Sequence, residues 1–165
     1  MAKNKDAVEL LLKHPDIDVN KQGELKRTAL QNAVINNDKE IVKLLLKHHS
    51  IDVNMSDDDE YTALHYATVK GREEVAALLL QHPKIDVNKI GKNATPLMWA
   101  PYVGSKEMVK LLLNHPFIQI NKKDNNGTTA LGHATIKNRK DIIELLLAHP
   151  DIDVNTQDNR GCPLL

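Results

Sequence analysis

Three markers recur along this chain in step, and their period leaves few folds open. Runs of three leucines begin at Leu10, Leu44, Leu78, Leu111 and Leu145. The triplets Asp18-Val19-Asn20, Asp52-Val53-Asn54, Asp86-Val87-Asn88, Gln119-Ile120-Asn121 and Asp153-Val154-Asn155 keep the same intervals. So do Thr28-Ala29-Leu30, Thr62-Ala63-Leu64, Thr95-Pro96-Leu97 and Thr129-Ala130-Leu131, with an echo at Cys162-Pro163-Leu164. Self-similarity every 33 or 34 residues signifies a stack of small units, none of which can bury its apolar face alone.

Each unit has the same internal order. A polar tip such as 122–128 precedes a short helix over about 129–137, which Asn138 breaks. A second helix follows over about 139–148, with Ile142, Ile143 and the three leucines from Leu145 on its apolar side. His149-Pro150 ends it, because proline lacks the amide hydrogen and its ring opposes helical continuation. The segment from Ile152 to Asn155 reads as extended.

This grammar resembles the ankyrin repeat, a β-turn followed by two antiparallel helices. The likeness rests on the Thr-Pro/Ala-Leu opening, on the alanines five residues later (Ala33, Ala67, Ala100, Ala134), and on the breaks at Asn37, Gly71, Gly104 and Asn138. The leucine runs and Asp-Val-Asn triplets complete it, and the likeness covers the chain from Val8 onward. A tetratricopeptide array shares the period but needs longer helices. The resemblance implies an all-α ankyrin-repeat solenoid in one domain, 1–165. Its full units are 21–54, 55–88, 89–121 and 122–155, with partial units 1–20 and 156–165. Polar caps usually close such stacks; neither end carries one, which suggests a piece of a longer array.

Departures from the family pattern also set expectations. Pro15, Pro83, Pro116 and Pro150 stand where a capping glycine is usual, and His49 at the remaining boundary suggests a slightly longer helix before it. Pro101 falls inside a first helix and should kink or shorten it. Met98 and Gly132 replace the histidine common in the family's Thr-Pro-Leu-His motif, so two units should lack that residue's hydrogen bond.

Composition narrows the function. Twenty-two basic side chains balance 22 acidic ones, so the chain has no overall pull on nucleic acid or an anionic membrane. Aromatics at 3% leave few platforms for stacking bases. Cys162 is the only cysteine, which excludes a disulfide within the chain and fits a reducing compartment. With no apolar run of signal or membrane-span length, the expected location is intracellular, cytoplasmic or nuclear.

Nothing in the sequence points to catalysis, a metal or a cofactor. His14, His48, His82, His115 and His149 recur once per unit at the ends of second helices. Neighbouring helices lie about 8–10 Å apart, whereas zinc ligands sit about 2 Å from a shared ion, so equivalent histidines cannot share a metal. They are expected to satisfy terminal carbonyls and, when protonated, complement the helix dipole. Cys162 has no base beside it, and Asp57-Asp58-Asp59-Glu60 lacks the spacing of a calcium loop.

The tips differ while the frame repeats, as expected of a recognition surface on a rigid scaffold. The family resemblance implies that tips and first helices line a concave face where protein partners dock. Leu25 and Arg27 stand in the first tip, Asp58, Asp59 and Tyr61 in the second, and Ile90 in the third. Asn32, Tyr66, Trp99 and His133 occupy one column of the first helices, and Ile35, Val69, Tyr102 and Ile136 a neighbouring one. Aromatic anchors dominate interface energetics, so the site is expected around Tyr61, Tyr66, Trp99 and Tyr102, with Trp99 serving either a partner or packing between units. The acidic cluster suggests a partner with a basic segment.

Two other readings stand beside this protein-binding module. The chain could be the interaction or substrate-recruiting arm of a larger enzyme. Asn20, Asn54, Asn88 and Asn155 also lie in a Leu-x5-Asp-Val-Asn context resembling that modified by animal asparaginyl hydroxylases; the alternative is that they hold the turns between units. Apolar ends, with Val8, Leu11 and Leu12 at one and Pro163, Leu164 and Leu165 at the other, suggest end-to-end self-association.

Overall fold

A computed structural model describes residues 2–163, with side chains from residue 5 onward; Leu164 and Leu165 lie outside the described residues. The elements are α1 (Ala2–Leu11), α2 (Ala29–Ile35), α3 (Lys39–Leu46), α4 (Ala63–Val69), α5 (Glu73–Leu80), α6 (Pro96–Val103), α7 (Lys106–Leu113), α8 (Ala130–Ile136) and α9 (Lys140–Leu147). Among the described residues there is no strand, only isolated bridges at Gly91–Ala94 and Gln157–Pro163. The fold is an all-helical ankyrin solenoid. First helices pack on one another in the order α2, α4, α6, α8, and second helices in the order α1, α3, α5, α7, α9.

Each first helix starts at a threonine for a local reason. Thr28, Thr62, Thr95 and Thr129 are extended N-caps whose hydroxyls accept the N–H three residues on, satisfying an otherwise orphaned donor. The side chain at that third position then reaches into the next unit. Gln31 Nε2 donates to Tyr61 O at 2.6 Å, and His65 Nε2 meets Ala94 O at 3.1 Å. Met98 and Gly132 make no such bond, as their chemistry requires.

His65 is fully buried. Its Nδ1 accepts from Thr62 N at 3.2 Å, which places the ring proton on Nε2. Burial holds its pKa down at about 4, with the bond to Ala94 O opposing that shift. Its folded pKa lies below the unfolded value, so the associated stability is complete above pH 6.5 and falls as pH drops toward 4. The expected loss is about 2 kcal/mol between pH 7.5 and pH 5. Urea titrations at the two pH values should show it, and His65→Gln, the residue used at Gln31, should remove most of it.

The core is one continuous spine. Leu30, Leu64, Leu97 and Leu131 on the first helices meet Leu45, Leu79, Leu112 and Leu146 on the second, all nearly inaccessible to solvent. Pro101 neither cuts α6 short nor interrupts it: the helix has eight residues, one more than α2, α4 or α8. Thr68 and Thr135 stand at the equivalent place in α4 and α8, where their hydroxyls bond Leu64 O and Leu131 O. Pro101 removes one bond to the corresponding carbonyl, while burial and the left-handed stop at Gly104 (φ 76°) keep the turn in place. Nor does α3 lengthen before His49, since it has eight residues like α5, α7 and α9.

The histidine column works with the opposite polarity to that expected. Each Nδ1 of His14, His48, His82, His115 and His149 accepts the backbone N–H two residues on, at 3.2–3.4 Å. An acceptor nitrogen must be unprotonated, and burial lowers the pKa of His82 and His115 accordingly. Proline follows four of these histidines without opposing the arrangement, because the accepted N–H lies one residue beyond it; after His48 that place is taken by His49.

The asparagines latch each unit to the next. Asn20 donates to Ser50 O and accepts from Asp52 N; Asn54 does the same with Lys84 and Asp86, Asn88 with Phe117 and Gln119, and Asn121 with Asp151 and Asp153, all at 2.6–2.9 Å. Asn155 makes no side-chain hydrogen bond with the described residues. Asn88→Ala is therefore expected to cost about 2 kcal/mol, two net hydrogen bonds, and Asn155→Ala about 0.5 kcal/mol or less, by chemical denaturation.

Candidate interaction face

The tips are tight turns closed by side chains. Asp57 Oδ1 accepts Asp59 N at 3.1 Å and Tyr61 N at 2.9 Å. Asp124 Oδ1 likewise accepts Asn126 N and Thr128 N, both at 2.8 Å. The second oxygen of each takes a side chain from the helix that follows, nine residues on. Tyr66 Oη donates to Asp57 Oδ2, and His133 Nε2 lies 2.9 Å from Asp124 Oδ2.

Tyr66 is accordingly held inside the molecule, with Arg27 half-buried against it. Tyr66 is buried, and Arg27 donates to its hydroxyl through Nε and Nη2 at 3.2 and 3.0 Å. Burial and the bond to Asp57 push Tyr66 up to about 12, so its hydroxyl keeps the proton it donates. The bond to Tyr66 raises Arg27 further above its ordinary value. Sequence position alone suggested that Tyr66 faces outward; instead it closes a network between the first two tips.

The acidic tip is also largely countered from within. Lys26 Nζ lies 3.1 Å from Asp58, and Lys92 Nζ 3.7 Å from Asp59. Asp57 is buried, while Asp58 N donates to Leu25 O at 3.1 Å and ties the tips together. Leu25 is exposed and adopts φ 56°, in the left-handed region that a bulky residue rarely visits. Ile90 is half-buried beside Gly91.

What the structure does bring together is an aromatic ladder along the first helices. Tyr61 meets Tyr66 edge-on at 5.5 Å between ring centres and Trp99 edge-on at 6.0 Å. Trp99 meets Tyr102 at 5.4 Å, and Tyr102 meets His133 at 5.6 Å with Oη 3.1 Å from Nδ1. Such pairs contribute roughly 0.5–1.5 kcal/mol beyond their buried area. Trp99 thus packs between units, as one of its two readings held, yet stays half-buried. Tyr102 and Ile136 are exposed, and Lys137 Nζ lies 4.2 Å from the Tyr102 ring centre.

Sequence reasoning set His133 and Ile136 in the two columns of this face without naming them in the site, and missed Asp124. A signal existed: Asp57–Tyr66 and Asp124–His133 are the same nine-residue pairing in two units. Two cavities open here. One of about 150 Å³ is lined by Lys92, Trp99, Tyr102 and His133, and one of about 480 Å³ by Tyr102, His133, Ile136 and Arg160. Among the described residues no group of three metal-ligating side chains could hold an ion. No helix there is long and apolar enough to cross a membrane.

A scaffold of stacked helix pairs repeating every 33 or 34 residues defines a helical repeat protein. The family model for ankyrin repeats (3 copies) matches residues 1–91 and 88–158, and the chain belongs to the ankyrin-repeat family. Among solved structures it is similar to EF0377, an ankyrin repeat protein, at 29% identity and TM-score 0.87, covering 99% of this chain and 84% of that one. It is also similar to the ankyrin repeat domain of Bcl-3, a member of the IkappaB protein family, at 22% identity and TM-score 0.88, covering 98% and 72% respectively; at that identity the likeness concerns the fold alone. A comparison with curated proteins finds no significant match. Ankyrin repeats are generally protein–protein interaction modules, and the fold is typically non-enzymatic.

Proposed function

We propose that this chain binds another protein on the face formed by its tips and first helices, with the site centred on Trp99, Tyr102, His133 and Ile136. The carrying observation is the exposed end of the aromatic ladder. Tyr102 and Ile136 stand exposed on adjacent first helices, Tyr102 at the rim of both cavities and Ile136 at the rim of the larger. Rigid aromatic anchors on a pre-formed surface lose little freedom on binding. The centre therefore moves from Tyr61 and Tyr66 toward α6 and α8, because removing Tyr66 would also strip Asp57 and Arg27 of their shared partner.

The test is affinity capture followed by measurement on the purified pair. Tyr102→Ala with Ile136→Ala should weaken binding tenfold or more, with the circular dichroism spectrum unchanged. Phe117→Ala, at an exposed residue on the loop after α7, should leave it unaltered. The reverse pattern would place the site elsewhere.

A further inference from the structure

Tyr66 and His133 each stand nine residues after a tip aspartate, yet their rings differ in what they can pass on. The phenol of Tyr66 has one polar atom, which Asp57 and Arg27 share. The imidazole of His133 has two. Its Nε2 lies 2.9 Å from Asp124 Oδ2, and its Nδ1 lies 3.1 Å from the hydroxyl of Tyr102, one unit back. Three polar groups therefore stand in line. They run from a carboxylate 4% exposed, through a ring 12% exposed, to a hydroxyl at the surface.

Elementary chemistry sets the direction of this line. A carboxylate can only accept, so His133 Nε2 carries a proton in either charge state. In the neutral ring Nδ1 is then a bare lone pair, and the Tyr102 hydroxyl donates to it. The phenolic proton points inward, and the lone pairs left on Oη are what Tyr102 offers outside. Protonation of His133 reverses the line: Nδ1–H donates to Oη, and the phenolic proton turns outward. Charged neighbours add a second restriction. Lys137 Nζ stands 4.2 Å from the Tyr102 ring centre, where another cation would meet like charge. Lys92 lines the smaller cavity with His133; Asp158 and Arg160 line the larger and pair with each other at 3.2 Å. Among the described residues these, with Lys137, Asp124 and Tyr102, are the charged and titratable groups facing His133.

Resting on the protein-binding reading above, we infer that the partner meets Tyr102 Oη with an uncharged hydrogen-bond donor, a main-chain or amide N–H or a hydroxyl. The Asp124–His133 pair selects that donor by holding the phenolic proton inward. A partner carboxylate would find Lys137 but face the lone pairs of Oη. His133 is thus a positioning residue, which sets the polarity of the partner contact through Tyr102.

Two measurements test this. In the free chain at about pH 8, nitrogen NMR of the imidazole should show His133 as the Nε2–H tautomer. The Nδ1–H tautomer, or a doubly protonated ring, would overturn the inference. Selection of displayed random peptides on the full chain at that pH then supplies ligands. Winners should lose about fivefold in affinity on Tyr102→Phe, which keeps the ring and removes the hydroxyl. They should lose as much when the pH falls below the titration of His133, with helical ellipticity unchanged, and the Tyr102→Phe chain should show no such step. Winners that lack either loss, a pH step that survives Tyr102→Phe, or an absence of enrichment would each overturn it. If winners lacking those losses are still lost on Tyr102→Ala with Ile136→Ala, the interaction face stands and only the polarity falls. Winners indifferent to that double change as well would remove both.

Discussion

Asp57→Ala is expected to destabilise the fold by about 3–4 kcal/mol, while Asp58→Ala and Asp59→Ala each cost about 0.5 kcal/mol or less. The three residues are adjacent and chemically identical, so the contrast isolates position. The Asp57 side chain is 1% exposed and accepts two backbone N–H groups, the Tyr66 hydroxyl and the Arg27 guanidinium. Removing it leaves those donors in a site that water does not easily reach. Asp58 and Asp59 are 49% and 57% exposed and hold only surface ion pairs. Urea denaturation of the three variants gives the comparison, and equal losses would show that the Asp57 network contributes no more than a solvated turn.

Gly91→Ala should be the other costly change, at about 3 kcal/mol, through overpacking against backbone. A Cβ at Gly91 would come within 2.3 Å of Glu60 O and 3.0 Å of the His65 ring. A carbonyl fixed in a neighbouring tip cannot rotate away as a side chain would. Gly161→Ala is the control: that glycine has φ 77°, so alanine there carries left-handed strain, but among the described residues nothing lies within 4 Å of the added carbon. Its cost should stay at about 1–2 kcal/mol. Thermal unfolding of both variants against the parent chain separates steric conflict from backbone preference.

The frame of this molecule was readable because each marker has one mechanical task per unit. The threonines start helices, the leucine runs fill the spine, and the asparagines join neighbours, so each recurs at the period and announces itself. The side chains of the candidate face answer instead to partners in an adjacent tip or one turn away. Tyr66 looks like a free aromatic at a variable place until Asp57 and Arg27 are seen to converge on it. The acidic run looks like a patch until Lys26 and Lys92 arrive from both sides. Pro101 looks like a break because propensity describes an isolated helix, and this one is confined between α4 and α8. The histidines were placed correctly but given the wrong polarity, since spacing locates a ring without saying which way its lone pair points. The hydroxylase reading has a physical obstacle at Asn20, Asn54 and Asn88, whose amides are engaged at both ends.

The lone indole sits in the middle of the stack with two phenol rings within about 6 Å of it. Light absorbed by those tyrosines passes readily to the tryptophan, so emission from the native chain reports almost entirely on the region around α6. Fraying that begins at either terminus would go unseen by that colour while helical ellipticity already declines. A lag between the two optical signals would therefore measure how far melting has travelled inward before it reaches the centre.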